Sequence, residues 1–117
     1  MKVALIGAGN IANVHGPIVN NHPEAELAAI ADRDLTRAEA LASWLNQCPC
    51  FDDAEAMLRE VKPDVVHVLT PPASHVQVAS LALEAGCHVL VEKPLAPNPE
   101  AARQIIDAAK ANGRLMC

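Results

Sequence analysis

The sequence predicts an α/β fold: a doubly wound, mostly parallel, six-stranded sheet with helices on both faces. Three observations carry this. Short apolar runs alternate with helix-length amphipathic stretches along all 117 residues, the pattern of a parallel sheet covered on both sides. Glycines and prolines punctuate the changes of period. The elements read βαβαβ twice, in two halves, which gives the strand order 3-2-1-4-5-6.

Each element has a local reason. Residues 3–6 form an apolar first strand, and residues 10–21 a stretch of helix length. Residues 26–31 are the second strand, ending at Asp32. Thr36 and Glu39 have capping-box spacing and open a helix to about Gln47, with Leu35, Ala38, Leu41, Ala42 and Leu45 as its apolar stripe. Residues 48–51 are a short third strand. Asp52 and Glu55 repeat the capping pattern, for a helix that must end before Pro63. Residues 64–69 read as a buried fourth strand, and residues 73–85 as a helix closed by Gly86. Residues 87–91 are the fifth strand. Asn98, Pro99 and Glu100 supply a cap, a first-turn proline and an acid suited to the helix dipole, for a helix to about Ala111 with Gly113 behind it. Residues 114–117 start a sixth strand. The whole, residues 1–117, is one domain.

Composition excludes several classes. At 51% apolar the chain can build a core without staples. Its nine basic residues are scattered and the net charge is -5, which offers no basic patch to nucleic acid or to an anionic membrane. Trp44 and Phe51 are the only aromatics, too few for a base-stacking platform. No apolar run approaches the roughly 18 residues of a membrane span. Met1 and Lys2 lead straight into a strand, which reads as a cytoplasmic start without a signal peptide. Cys48 and Cys50 have C-x-C spacing, and neither they nor Cys87 and Cys117 have a Cys/His cluster for a metal. Free thiols in a reducing compartment follow.

The chemistry gathers at strand ends. Gly7-Ala8-Gly9-Asn10-Ile11-Ala12 is G-x-G-x-x-A between the first strand and the first helix. Gly7 permits the tight turn, Gly9 lets a pyrophosphate approach the backbone, and Ala12 allows close packing of helix on strand. Asp32 follows at the tip of the second strand, where a carboxylate accepts hydrogen bonds from an adenine ribose. It argues for NAD, since it would repel a 2′-phosphate. Arg33 beside it leaves NADP as the alternative: it can stack on adenine, pair with that phosphate, or be surface. Thr70, Pro71 and Pro72 make a stiff loop after the fourth strand, at the topological switch point, with His75 in the first turn beyond it, near that wall. His67 and His88 lie in strands and read as structural. His15 reads as surface or packing, near the pyrophosphate loop. Glu92-Lys93-Pro94 ends the fifth strand on the same carboxyl edge, so the Lys93 ammonium stands in the crevice, able to polarise a substrate oxygen or help move its proton. A cis peptide can precede Pro94.

These stretches resemble the N-terminal domain of the Gfo/Idh/MocA family (glucose–fructose oxidoreductase and inositol dehydrogenase), NAD(P)-dependent oxidoreductases. The resemblance runs through Gly7 to Ala12, Ala31 to Asp34, Thr70-Pro71 with His75, and Gly86 to Pro94, the last being the most distinctive. It implies that Gly7, Gly9, Asn10 and Ile11 hold the pyrophosphate and that Asp32 and Arg33 flank the adenosine ribose. It implies further that Thr70, Pro71 and His75 line the cofactor, that Glu92 lies near the nicotinamide ribose, and that Lys93 touches the substrate hydroxyl. Ala73 stands where the family often has asparagine. Family substrates are mostly sugars, polyols and related hydroxy compounds. The family's α+β substrate domain, with its histidine base and oligomer interface, is absent from these residues, so the isolated chain is expected to bind NAD(P) without turnover. A non-catalytic redox-sensing or scaffold module is the alternative. An S-adenosylmethionine-dependent methyltransferase is disfavoured by the Gly7–Ala12 spacing and by Lys93-Pro94.

Overall fold

A computed structural model describes residues 1–117. Its first strand, β1 (Lys2–Ile6), is buried on both faces. The two-residue period of a strand divides the core there: Ala4 and Ile6 join one apolar cluster, Val3 and Leu5 the other. Around β1 the sheet runs β3-β2-β1-β4-β5, all parallel. The other strands are β2 (Glu26–Ala31), β3 (Cys50–Phe51), β4 (Val65–Val68) and β5 (His88–Val91).

Five helices cover the two faces. α1 (Ala12–Asn20) and α2 (Leu35–Ser43) pack on one through Ala12, Val19, Ala38, Leu41 and Ala42. α3 (Ala54–Val61), α4 (His75–Glu84) and α5 (Pro99–Ala111) pack on the other through Met57, Leu83 and Ile105, all fully buried. A parallel sheet with helices on both sides is the doubly wound arrangement, and the order reverses between β1 and β4. Ligands of such sheets bind at that crevice, at the carboxyl ends of the strands.

Three expectations change. The sheet has five strands, not six. Met116 makes a single parallel bridge to Val89, held by hydrogen bonds among Val89, Val91, Leu115 and Cys117. The sixth position is therefore marked but carries too few paired residues for a ladder. The caps also move. Asp34, not Thr36, caps α2 by accepting from the Thr36 amide, and Asp53, not Asp52, caps α3 by accepting from Glu55 and Ala56. In each case the carboxylate on the residue immediately before the helix reaches the orphan amides; Thr36 already lies inside α2, and Asp52 stands one residue too early. Finally, α2 stops at Ser43, with Gln47 at φ 51° in the turn beyond. Asn98 caps α5 through the Ala101 amide, and Gly86 and Gly113 take positive φ behind their helices, as the sequence suggests.

Candidate functional site

The site starts where β1 turns. Gly7 has φ +104°, and a Cβ there would sit 2.7 Å from the Leu69 carbonyl carbon. Only glycine lets the first turn pass so close to the end of β4. Gly9 differs: a Cβ there would meet no atom within 4 Å. Its backbone fronts open space. The amides of Gly9, Asn10 and Ile11 precede α1 and find no acceptor in the chain. They are unsatisfied donors at the positive end of a helix dipole, which suits a pyrophosphate.

Asp32 braces this turn. Its Oδ2 accepts from the Ala8 amide at 2.7 Å and its Oδ1 from the Asp34 amide at 2.8 Å. Each carboxylate oxygen keeps a further lone pair for a ligand hydroxyl. Arg33 is exposed beside it. Across the switch point, Ser74 Oγ donates to Thr70 Oγ1 and ties the loop after β4 into a short 3-10 turn, Pro72–Ser74.

A groove of about 1040 Å³ runs between these walls. It brings together Gly7, Gly9, Ile11, Asp32, Arg33, Thr70, Pro71, Glu92 and Lys93, with Asn10 exposed beside it. His75 is elsewhere. Expected near the cofactor wall, it is fully buried behind it. Its Nε2 lies 2.7 Å from the Thr70 carbonyl, and its Nδ1 lies 3.0 Å and 3.2 Å from the carbonyls of Pro94 and Leu95. The imidazole therefore ties the two loops together from inside. The Lys93–Pro94 peptide is cis.

Two histidines read as structural or surface meet behind Glu92, which lines the groove while they do not. His15 Nδ1 lies 3.1 Å from His67 Nδ1, and His15 Nε2 lies 3.2 Å from Glu92 Oε2. The other Glu92 oxygen accepts from the Lys93 amide at 2.9 Å. That amide bond first, and His15 second, hold Glu92 below the usual carboxylate range against the opposing effect of burial. Burial, with His15 adding to it, pushes His67 down to about 4. The only trace in the sequence is a histidine within an otherwise apolar strand. The thiols take no part. Burial raises Cys48 to about 11 and raises Cys50 and Cys87 as well, so they stay protonated and weakly nucleophilic.

A glycine turn at a helix start, a braced acid on the next strand and a polar pair across the crevice define a Rossmann-type dinucleotide-binding domain. The family described as "Oxidoreductase family, NAD-binding Rossmann fold" (GFO_IDH_MocA) matches residues 1–117. The chain belongs to this Gfo/Idh/MocA family, and it is an NAD-binding domain of these oxidoreductases. D-glucoside 3-dehydrogenase of Escherichia coli (strain K12) is 44% identical over 117 residues, covering 99% of this chain and 33% of that protein. Inositol 2-dehydrogenase 4 of Saccharopolyspora erythraea is 32% identical over 97% of this chain and 34% of its own length. The WlbA dehydrogenase from Chromobacterium violaceum, solved with NADH and UDP-GlcNAcA, superposes with a TM-score of 0.93 at 29% identity, over 99% of this chain and 34% of that one. A variant 3-ketoreductase from Actinomadura kijaniata, solved with TDP-benzene and NADP, superposes at 0.91 with 30% identity, over 99% and 37%. The chain thus spans about a third of the length of the relatives it matches. No helix is long and apolar enough to cross a membrane.

Proposed function

We propose that this chain is the cofactor half of a cytoplasmic dehydrogenase that moves hydride between NAD and a hydroxyl or ketone of a sugar or polyol. The observation that carries this is one groove with Gly9 and Asp32 on one wall and Glu92-Lys93 on the other. The adenosine ribose sits at Asp32, with Arg33 alongside, and the pyrophosphate crosses Gly7, Gly9, Asn10 and Ile11. The second nucleoside then falls between Thr70-Pro71 and Glu92. Bound NAD supplies the hydride acceptor. The Lys93 ammonium hydrogen-bonds the substrate oxygen and steadies it as its proton leaves. His75 keeps both loops in register. Asp32 favours NAD over NADP by repelling a 2′-phosphate.

A second, α+β domain closes over Lys93 in this reading, brings the substrate contacts and the general base, and forms the oligomer interface. The isolated chain therefore binds the dinucleotide and does not turn over. Titrating the 117-residue chain with NADH by fluorescence, and with NADP(H) alongside, tests this. Saturable binding with NADH preferred is expected. Absence of binding at millimolar NADH would refute the cofactor reading, and oxidation of a glucoside or inositol by the isolated chain would refute the need for a second domain.

A further inference from the structure

We propose that His15 is a positioning residue for the cofactor: from behind the groove it holds the Glu92 carboxylate in place to accept the hydroxyls of the second ribose. His15 does not line the groove and acts only through Glu92, which does. This rests on the dinucleotide reading above, which puts the second nucleoside between Thr70-Pro71 and Glu92.

Glu92 needs such a hold. Its backbone is fixed, since its amide donates to the Val68 carbonyl at 3.0 Å. Its side chain is not fixed by its own turn. Oε1 accepts from the adjoining Lys93 amide at 2.9 Å, and one bond to a neighbour leaves the carboxylate free to pivot. The next side chain is an ammonium, which attracts it. Yet the ion pairs of the chain are His15–Glu92 and Arg37–Asp34, so Glu92 and Lys93 are not paired. The second tie, between Glu92 Oε2 and His15 Nε2 at 3.2 Å, sets the direction of the carboxylate. Each oxygen still has a lone pair for a ribose hydroxyl, and the Lys93 ammonium stays free for the substrate oxygen.

His15 is itself held firmly. It stands three residues after Ala12 and four before Val19, both buried on the inner face of α1. That helix has little room to shift, because a Cβ on the neighbouring Gly16 would lie 2.8 Å from Leu45 Cδ1. Behind the ring, His67 of β4 meets it edge to face, with centroids 5.2 Å apart and an interplanar angle of 87°. The two Nδ1 atoms lie 3.1 Å apart. An ionised carboxylate only accepts, so His15 carries its proton on Nε2 and its Nδ1 accepts from the Nδ1–H of His67. Both ring nitrogens are engaged, and the imidazole cannot turn without breaking two bonds. A helix and a central strand thus fix the aim of a side chain that its own turn leaves loose.

The test measures Kd on the 117-residue chain for NADH by fluorescence, and for ADP-ribose and ADP by calorimetry. ADP lacks the second ribose and ADP-ribose keeps it. His15→Leu fills the space without a donor. It should weaken NADH and ADP-ribose about fivefold each, the worth of one net hydrogen bond, and leave ADP within about twofold. His15→Gln, which offers an N–H at similar reach, should restore both. Glu92→Ala should show the same loss, and adding His15→Leu to it should cost nothing more, because the two act as one unit. Imidazole nitrogen shifts of the unsubstituted chain should place the neutral His15 proton on Nε2, a readout that does not depend on any variant folding. An unchanged NADH affinity in His15→Leu, an equal loss for ADP, losses that add in the double variant, or a proton on His15 Nδ1 would each overturn this inference and leave the proposed function standing. Failure of the unsubstituted chain to bind NADH overturns both.

Discussion

Gly7→Ala is the sharpest probe of the turn that builds the site. The added methyl meets three backbone atoms: the Leu69 carbonyl carbon at 2.7 Å, its oxygen at 2.8 Å and the Thr70 nitrogen at 2.9 Å. None of these belongs to a side chain that can swing away. The φ of +104° adds strain of about 1–3 kcal/mol for an L residue. Relief requires the ends of β1 and β4 to part, which stretches the 2.8 Å bond from the Leu69 amide to the Ile6 carbonyl, a further loss of about 1 kcal/mol. The total is about 2–4 kcal/mol, a large part of the roughly 5–15 kcal/mol typical of a domain. In urea, with a slope of about 1.5 kcal/mol/M, the midpoint should fall by about 2 M. Gly9→Ala is the control. It meets nothing within 4 Å, so its midpoint should move by less than about 0.5 M, while NADH affinity falls about tenfold or more because the methyl occupies the approach of the pyrophosphate. A Gly7→Ala midpoint within about 0.5 M of the parent, or Gly9→Ala binding NADH as the parent does, would show that the two glycines have been assigned the wrong tasks.

The remaining expectations concern the walls of the groove. His75→Ala removes a fully buried ring contacting three carbonyls and should lower stability by about 2–4 kcal/mol in the same urea assay. Asp32→Ala removes the partner of the Ala8 and Asp34 amides and the charge facing a 2′-phosphate; NAD affinity should fall about tenfold, with a smaller loss for NADP, by competitive titration. Acid should destabilise the chain through His67. Its folded value, about 4, lies below the 6.5 of an ordinary histidine, so the unfolded chain takes up a proton first. Stability is complete above pH 6.5 and is lost as pH falls towards about 4, by at most about 3.5 kcal/mol at ~1.4 kcal/mol per pH unit. Urea midpoints from pH 7.5 to 4.5 should trace this loss, and His67→Phe should remove it. Glu92, also held low, adds loss of the same sign at lower pH.

Much of this was legible in the chain. Strands β1, β2, β4 and β5 follow from their apolar runs, because a sheet covered on both faces demands them, and the helices follow from length, an apolar stripe in α2, and cap and stop residues. The fingerprint from Gly7 to Ala12 with Asp32 located the carboxyl edge and one wall of the groove. The capping boxes were one residue or two out, since several acids near a helix start compete and only the backbone geometry selects Asp34 and Asp53. His75 was expected at the groove because it follows Thr70 closely; the turn from Pro72 to Ser74 rotates it inward instead.

The kind of sheet, the glycine turn and the acid beside it are local: each depends on residue type and on neighbours a few positions away. Tertiary structure alone decided that His67, Glu92 and His15 meet. They lie 52 and 77 residues apart along the chain, on a helix, a strand and a strand end. Parallel register sets His67 between Leu5 and Leu90, and only the docking of α1 on that face brings His15 within reach. Proximity of that kind is a sum of register and packing, and no short stretch of residues contains it.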